Sequence, residues 1–194
     1  MKKIIAMLLA LTMVAAMAAC TPAANNNETT TAPVETTTEP AVTIASAVEL
    51  LTTVWGQFGE DEKFFAMGGD FDAMVDGAPG KVTNTDFMSG NLVVPAEQTA
   101  NITDAAALTH GLNANTFTGA AYAVADAKAF ATAMQTAIQG NHWMCGFPEK
   151  LVIAEVGGYV VVLFGHGDAV TPFQTKLTAA YPTTNILVDE AIAV

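Results

Sequence analysis

The side chains best suited to chemistry are concentrated in residues 142–148, which read His-Trp-Met-Cys-Gly-Phe-Pro. Cys145 as a nucleophile would need a base, and His142 stands three residues before it, with His110 and His166 elsewhere in the chain. Zn²⁺ or copper would also accept sulfur and imidazole ligands of this kind. The segment makes Cys145 and His142 the candidate catalytic or metal-binding residues. The alternative is a core plug made by its apolar side chains, since unpaired cysteines are often buried.

A cysteine close to tryptophan and proline is similar to the active site of thioredoxins. The chain has no Cys-x-x-Cys pair, however, so the second thiol that completes disulfide exchange is missing. The sequence also lacks the Gly-x-Ser-x-Gly motif of serine hydrolases and the Gly-x-x-x-x-Gly-Lys phosphate loop.

A second group of candidate ligands is acidic. Asp70, Asp72 and Asp76 fall in a glycine-flanked stretch, and their carboxylates are the hard oxygen ligands that Ca²⁺ prefers. Their spacing departs from that of the EF-hand loop. The alternative is a solvated acidic loop, so neither calcium nor zinc is assigned as a cofactor.

The N-terminus has the features of an export signal. Lys2 and Lys3 precede an uncharged, largely apolar run over 4–19, which is too short to span a bilayer as a helix. Residues 17–20, Met-Ala-Ala-Cys, resemble the bacterial lipobox, in which the cysteine is acylated after cleavage. The resemblance implies a signal peptide over 1–19 and a lipid on Cys20 that holds the protein to the extracytoplasmic face of a membrane.

Composition separates a tether from a domain. Residues 20–40 are rich in Thr, Glu, Pro and Asn and are predicted to be a disordered tether, whereas 41–194 have enough apolar residues for a single domain. Removal of Lys2 and Lys3 would leave five lysines against nineteen acidic residues, a net charge of −14. This charge argues against nucleic acid and anionic lipid as partners. If Cys20 is lipidated, Cys145 has no disulfide partner within the chain.

The first half of the domain shows one clear helix. Ser46 and Glu49 have capping-box spacing, and apolar residues at intervals of three and four predict a helix over 46–58. Frequent glycines and prolines over 59–100 predict loops with short strands near 81–82 and 92–94. Thr103 is predicted to cap a short helix that runs to His110.

The second half, from about residue 116, predicts the order β-α-β-β-α-β. The strands are 117–124, 151–156, 159–164 and 186–194, and the helices are capped by Asp126 and Asp168. Gly157-Gly158 is a two-residue hairpin signal. We therefore expect an α+β fold of ferredoxin-like type, an antiparallel sheet with both helices on one face, against which the N-terminal helix and the irregular region pack.

Taken together, the lipobox, the Thr/Glu/Pro tether, the 142–148 segment and the hairpin resemble small Cys-anchored lipoproteins of Gram-positive bacteria. This resemblance implies a surface location and carries over no catalytic residue. The sequence favours a non-enzymatic module that binds an envelope protein or a small ligand. The rival hypothesis is an extracytoplasmic thiol- or metal-dependent enzyme centred on Cys145 and His142.

Overall fold

The structure is a computed structural model that describes residues 43–193. The predicted signal peptide, Cys20 and the tether over 20–40 lie outside the described residues. Within 43–193, no helix is long and apolar enough to cross a membrane.

The described chain contains five helices and eight strands in one antiparallel sheet. The strand order is β2-β1-β4-β5-β7-β6-β8, and the short β3 also pairs with β4. The helices are α1 (Ala47–Trp55), α2 (Thr85–Asn91), α3 (Ala96–Thr99), α4 (Ala127–Gln139) and α5 (Gly167–Ala180). The strands are β1 (Ala66–Gly69), β2 (Met74–Asp76), β3 (Gly80–Lys81), β4 (Ile102–His110), β5 (Phe117–Val124), β6 (Lys150–Val156), β7 (Tyr159–Gly165) and β8 (Asn185–Ala191).

Local sequence signals account for the best-predicted elements. The Ser46 side chain accepts a hydrogen bond from the Glu49 N–H at the start of α1, and Asp126 accepts one from Ala129 N–H at the start of α4. Gly157 and Gly158 join β6 to β7 with φ angles of 54° and 88°. Such positive φ angles suit the twist of a two-residue hairpin, and glycine adopts them without steric cost.

Helices cover both faces of the sheet. On one face, α1 and α5 bury Leu50, Leu51 and Phe173 against the sheet. On the other face, α2 and α4 bury Met88 and Phe130. The central strands β6 and β7 therefore contain almost continuous apolar residues, as expected for a sheet buried on both sides.

The predicted order of elements from residue 116 onward is confirmed, but the ferredoxin-like arrangement is not. The four last strands lie in the order β5-β7-β6-β8, and β4 takes the position beside β5. Helices α4 and α5 pack on opposite faces rather than on one. Helices α4 and α5 each connect two parallel strands that have one other strand between them. Both connections move toward β8 along the strand order. Because β5 and β7 run in opposite directions, right-handed connections place the two helices on opposite faces.

Two predictions for the first half were wrong. The segment from Thr103 to His110 is part of strand β4 rather than a helix. Residues 92–94 follow α2 and are not a strand; Leu92 and Val94 are buried beside α2. The run of alanines in β4 suits a helix by intrinsic propensity, but pairing with β5 along one edge and with β1 and β3 along the other makes it a strand.

The sheet has two distinct ends. At the first, β4 ends with His110, β7 ends with Gly165, and β5 and β6 begin; we name it the His110 end. The other is named the Tyr159 end, after the first residue of β7. Helix α1 begins there, because Asp104 accepts a hydrogen bond from Ala47 N–H at 2.7 Å and from the Tyr159 hydroxyl at 3.4 Å.

Candidate functional site

The loop between α4 and β6, which carries Cys145, is held at the His110 end by two asparagines. The Asn115 amide donates to the carbonyls of Met144 and Gly146 at 2.8 and 3.0 Å, and the Asn113 amide donates to the carbonyl of Cys145. Cys145 has a φ of 62°, a left-handed conformation that is costly for a residue with a side chain. The asparagine contacts fix the loop in this conformation.

This loop is not the core plug considered as the alternative. Cys145 is exposed, and Met144 and Phe147 are 79% and 59% exposed. Trp143 turns inward, where its ring lies 5.4 Å from that of Phe164, and Pro148 is buried. The loop therefore presents a thiol and two large apolar side chains to solvent.

The three histidines lie at or beside the His110 end. His142 is exposed and lines a cavity of about 340 Å³ with Trp143 and Phe147. His166 precedes α5, and its N–H donates to the Thr116 carbonyl. Within residues 43–193 no histidine ring forms a hydrogen bond with the Cys145 thiol.

Asp70, one of the three candidate calcium ligands, is buried and makes several hydrogen bonds within the chain. It is 1% exposed, and its carboxylate accepts backbone N–H groups from Asp72, Ala73, Thr83 and Asn84. Burial acts to raise the pKa of Asp70, but these donors together lower it below its usual value. Asp70 therefore holds the β1–β2 hairpin against the segment that precedes α2.

The other two aspartates of the predicted group lie apart from this arrangement. Asp72 accepts a hydrogen bond from the Asn84 side chain, and Asp76 is exposed on strand β2. In the part of the chain that the structure describes, no three side chains of His, Cys, Asp or Glu are grouped to hold a metal ion.

A cavity of about 350 Å³ lies at the His110 end, on the face covered by α1 and α5. The segment after α1, the ends of β4 and β5, and the first turns of α5 supply its walls. These walls include Phe58, Glu62, Phe64, His110, Thr116 and Asp168. This volume is within the range of small-molecule pockets.

Hydrogen bonds define the tautomer of the neutral His110 ring in this cavity. The N–H groups of Leu112 and Asn113 lie 3.3 and 3.4 Å from His110 Nδ1, which accepts from both. In the neutral ring Nε2 therefore carries the proton. The ring also stacks on Phe64, with centroids 5.4 Å apart.

Exposed apolar side chains surround this end of the molecule. His110 also lines a groove of about 260 Å³, in which Phe71, Met74 and Leu112 take part. These three side chains are 61%, 70% and 82% exposed, and Phe65 is 54% exposed. With Met144 and Phe147, they are six of the seven large apolar side chains that are exposed within residues 43–193; the seventh is Ile186.

Sequence reasoning identified Cys145 and all three histidines but missed the cavity. Its polar residues Glu62, Thr116 and Asp168 come from segments far apart in the chain, and no local motif connects them. No protein-family model, no curated protein and no solved structure matches this chain.

Proposed function

We propose that the chain is an exported, lipid-anchored envelope protein whose domain is a non-enzymatic binding module. In this proposal Cys20 carries the lipid, and the His110 end of the sheet binds a small ligand or an envelope protein. The anchor is supported by the lipobox-like residues 17–20 and the signal-like segment before them.

One observation carries the binding proposal. The 350 Å³ cavity and six of the seven exposed large apolar side chains of residues 43–193 occur together at or beside one end of the domain. Scattered apolar residues are ordinary on a protein surface, whereas a cluster around a concave site is typical of a binding surface. The asparagine contacts to the 144–146 carbonyls keep part of this surface in a fixed conformation before any ligand arrives.

The anchor is tested by the two cysteines, which serve as matched variants. Wild-type chain and Cys145→Ser should incorporate labelled fatty acid and sediment with membranes. Cys20→Ala should incorporate none, because the acylated sulfur is gone. Fatty-acid labelling of Cys20→Ala at the wild-type level would contradict the lipid anchor.

The binding surface is tested by the exposure of Cys145. In the purified protein we expect a membrane-impermeant maleimide to label Cys145 in native buffer nearly as fast as in denaturant. In intact cells the same reagent should label it more slowly if a partner covers the His110 end, and detergent extraction should restore the rate. Equal native rates in cells and in purified protein would count against a bound partner on this surface.

The enzyme hypothesis has one observation in its favour, the exposure of Cys145 on a loop of fixed conformation. A cysteine nucleophile also needs a base within hydrogen-bond reach. His142 is exposed and makes no hydrogen bond with the thiol in the described part of the chain. The binding module is therefore the function that the geometry supports best.

A further inference from the structure

The 350 Å³ cavity at the His110 end combines aromatic walls with acidic groups. Phe58 is buried and Phe64 is half-buried, and the Phe64 ring packs 5.0 Å from both Trp55 and Phe117. These rings are fixed by the core, so they form a rigid apolar wall. The faces of aromatic rings attract cations. Lys176 Nζ already lies 4.6 Å from the centroid of the Phe58 ring, so Phe64 is the ring of this pair that has no cation from within residues 43–193.

The polar groups of the cavity are mostly hydrogen-bond acceptors. Glu62 and Asp168 contribute carboxylates. Pro172 has no N–H, so the Asp168 carbonyl one turn earlier lacks its usual helical donor. Glu62 already accepts from the Gly59 N–H and from Lys176, so a ligand that brings a positive charge or N–H donors would satisfy the acceptors of Asp168.

Charge at the cavity is negative. Glu62 is paired with Lys176 at 3.1 Å, so this pair is neutral as a whole. The backbone N–H of Gly59 and the Lys176 ammonium lower the pKa of Glu62, which keeps it ionised. Asp168 is exposed, and no lysine or arginine is among the residues that line the cavity. The Asp168 charge is therefore uncompensated within the cavity.

The start of α5 does not make this an anion site. The N–H of Gly167 donates to the Glu149 carboxylate at 3.0 Å, and the N–H groups of Ala169 and Val170 donate to the His166 carbonyl. Asp168 adds a negative charge to the same first turn. Three of the four N–H groups of this turn are therefore already paired, and the Asp168 charge offsets the helix dipole that would attract an anion.

We propose that this cavity binds a small organic cation, an alkylammonium group that lies against Phe64 and pairs with Asp168. The inference rests on the proposed binding function and names the class of ligand. His110 Nε2–H and the Thr116 hydroxyl would hydrogen-bond to a polar group of the same ligand. The net negative charge of the chain, −12 before any processing, favours the approach of such a ligand.

The test compares two probes of the same shape, choline and its uncharged carbon analogue 3,3-dimethylbutan-1-ol. Binding to the full lipidated chain in a maltoside detergent would be measured by ligand-observed NMR titration at a fixed salt concentration. We expect choline to bind with a dissociation constant at least about tenfold lower than that of the analogue. Equal affinities would show an apolar cavity without preference for cations and would overturn the proposal.

A pair of variants tests whether choline binds in this cavity. Asp168→Asn should weaken choline binding roughly fivefold to tenfold. Glu97→Gln removes the same charge from the exposed first turn of α3 and should leave the affinity unchanged. Because both positions are exposed, thermal unfolding should show that both variants fold.

Two further results would also overturn the proposal. One is equal weakening by Asp168→Asn and Glu97→Gln, which would mean that choline responds only to net charge. The other is the absence of choline binding to the wild-type chain. Neither result affects the lipid-labelling test of Cys20, so failure of the cation proposal is distinguishable from failure of the proposed anchored module.

Discussion

Asp70 is a buried carboxylate on which the β1–β2 hairpin depends. We predict that Asp70→Ala lowers the free energy of unfolding by about 3 kcal/mol, because several backbone donors lose a charged acceptor inside the protein. Urea unfolding at pH 7 measures the loss. Asp72→Ala, at an exposed position with one side-chain partner, is the matched control and should change stability by less than about 1 kcal/mol.

The pH dependence of this effect has a definite sign. The pKa of Asp70 is lower in the folded state than in the unfolded chain, so its ionised form stabilises the fold above about pH 4. This contribution is lost as the pH falls through the folded-state pKa. The stability difference between wild type and Asp70→Ala should therefore shrink below about pH 4, and a difference independent of pH would contradict the assignment.

Tyr122 is fully buried, packs against Phe130, and its hydroxyl has no hydrogen-bond partner among the described residues. We predict that Tyr122→Phe is neutral at pH 7 or stabilises the fold by up to about 1 kcal/mol, because it removes an unsatisfied polar group. Thermal or denaturant unfolding measures this change. Tyr159→Phe, which loses the contact with Asp104, should instead destabilise.

Alkaline pH should enlarge the benefit of Tyr122→Phe. Burial raises the pKa of Tyr122 far above its usual value, so the folded state keeps the phenol neutral while the unfolded chain ionises above about pH 10. Wild-type stability then falls by about 1.4 kcal/mol per pH unit for this group. Tyr122→Phe lacks this contribution. The difference in the free energy of unfolding between the two proteins should therefore be larger at pH 10 and 11 than at pH 7.

At the scale of the element, α5 begins without a side-chain cap of its own, because its first flanking residue, His166, makes no capping hydrogen bond. Glu149 supplies the acceptor from the adjacent loop. We predict that Glu149→Ala lowers stability by about 1 kcal/mol, as measured by urea unfolding. Glu97→Ala should have little effect, and an equal loss in both variants would mean that Glu149 acts only through net charge.

Elements with strong local signals were predictable from the sequence, and elements set by distant pairing were not. The caps at Ser46 and Asp126 and the Gly157-Gly158 turn act within a few residues, so helices α1 and α4 and the β6–β7 hairpin were found. Strand β4 was missed because its conformation depends on neighbours on both edges. The position of β8 was missed because its own residues carry no signal for the edge of the sheet that it joins.

The candidate site was likewise predictable only in part. Residues 142–148 were identified because reactive side chains are adjacent in the sequence, but their exposure depends on Asn113 and Asn115 from another loop. The cavity around His110 was not predictable, because four separate segments form it. A periodic pattern reports which face of an element is buried and carries no information on which other segment contacts it.

At the scale of the whole molecule, the segment that leads back to Cys20 joins the domain at the Tyr159 end. Six steps along β4 lead from Asp104 to His110, a rise of about 20 Å. The His110 end, with the proposed cavity, is therefore the end of the domain farther from the point where the described chain begins.

Tether length should affect the two ends differently. Deletion of residues 24–38 should slow the labelling of Thr183→Cys, near the Tyr159 end, by a bulky maleimide on intact cells, because that end comes closer to the membrane. Labelling of Cys145 in the same deletion should keep its rate. The Thr183 measurement is made in a Cys145→Ser background, and equal slowing at both positions would contradict this orientation.

The sheet ends in β8, an edge strand of seven residues with backbone groups unpaired on its outer side. Asp189 and Glu190 give that edge negative charge, and hydrogen bonds from Gln174 and Gln135 respectively lower the pKa of each carboxyl. The edge therefore stays charged in moderately acidic surroundings, where ordinary carboxylates begin to lose their charge. Protonation at still lower pH would leave an uncharged strand edge open to pairing with other chains, so strong acid should promote aggregation through β8.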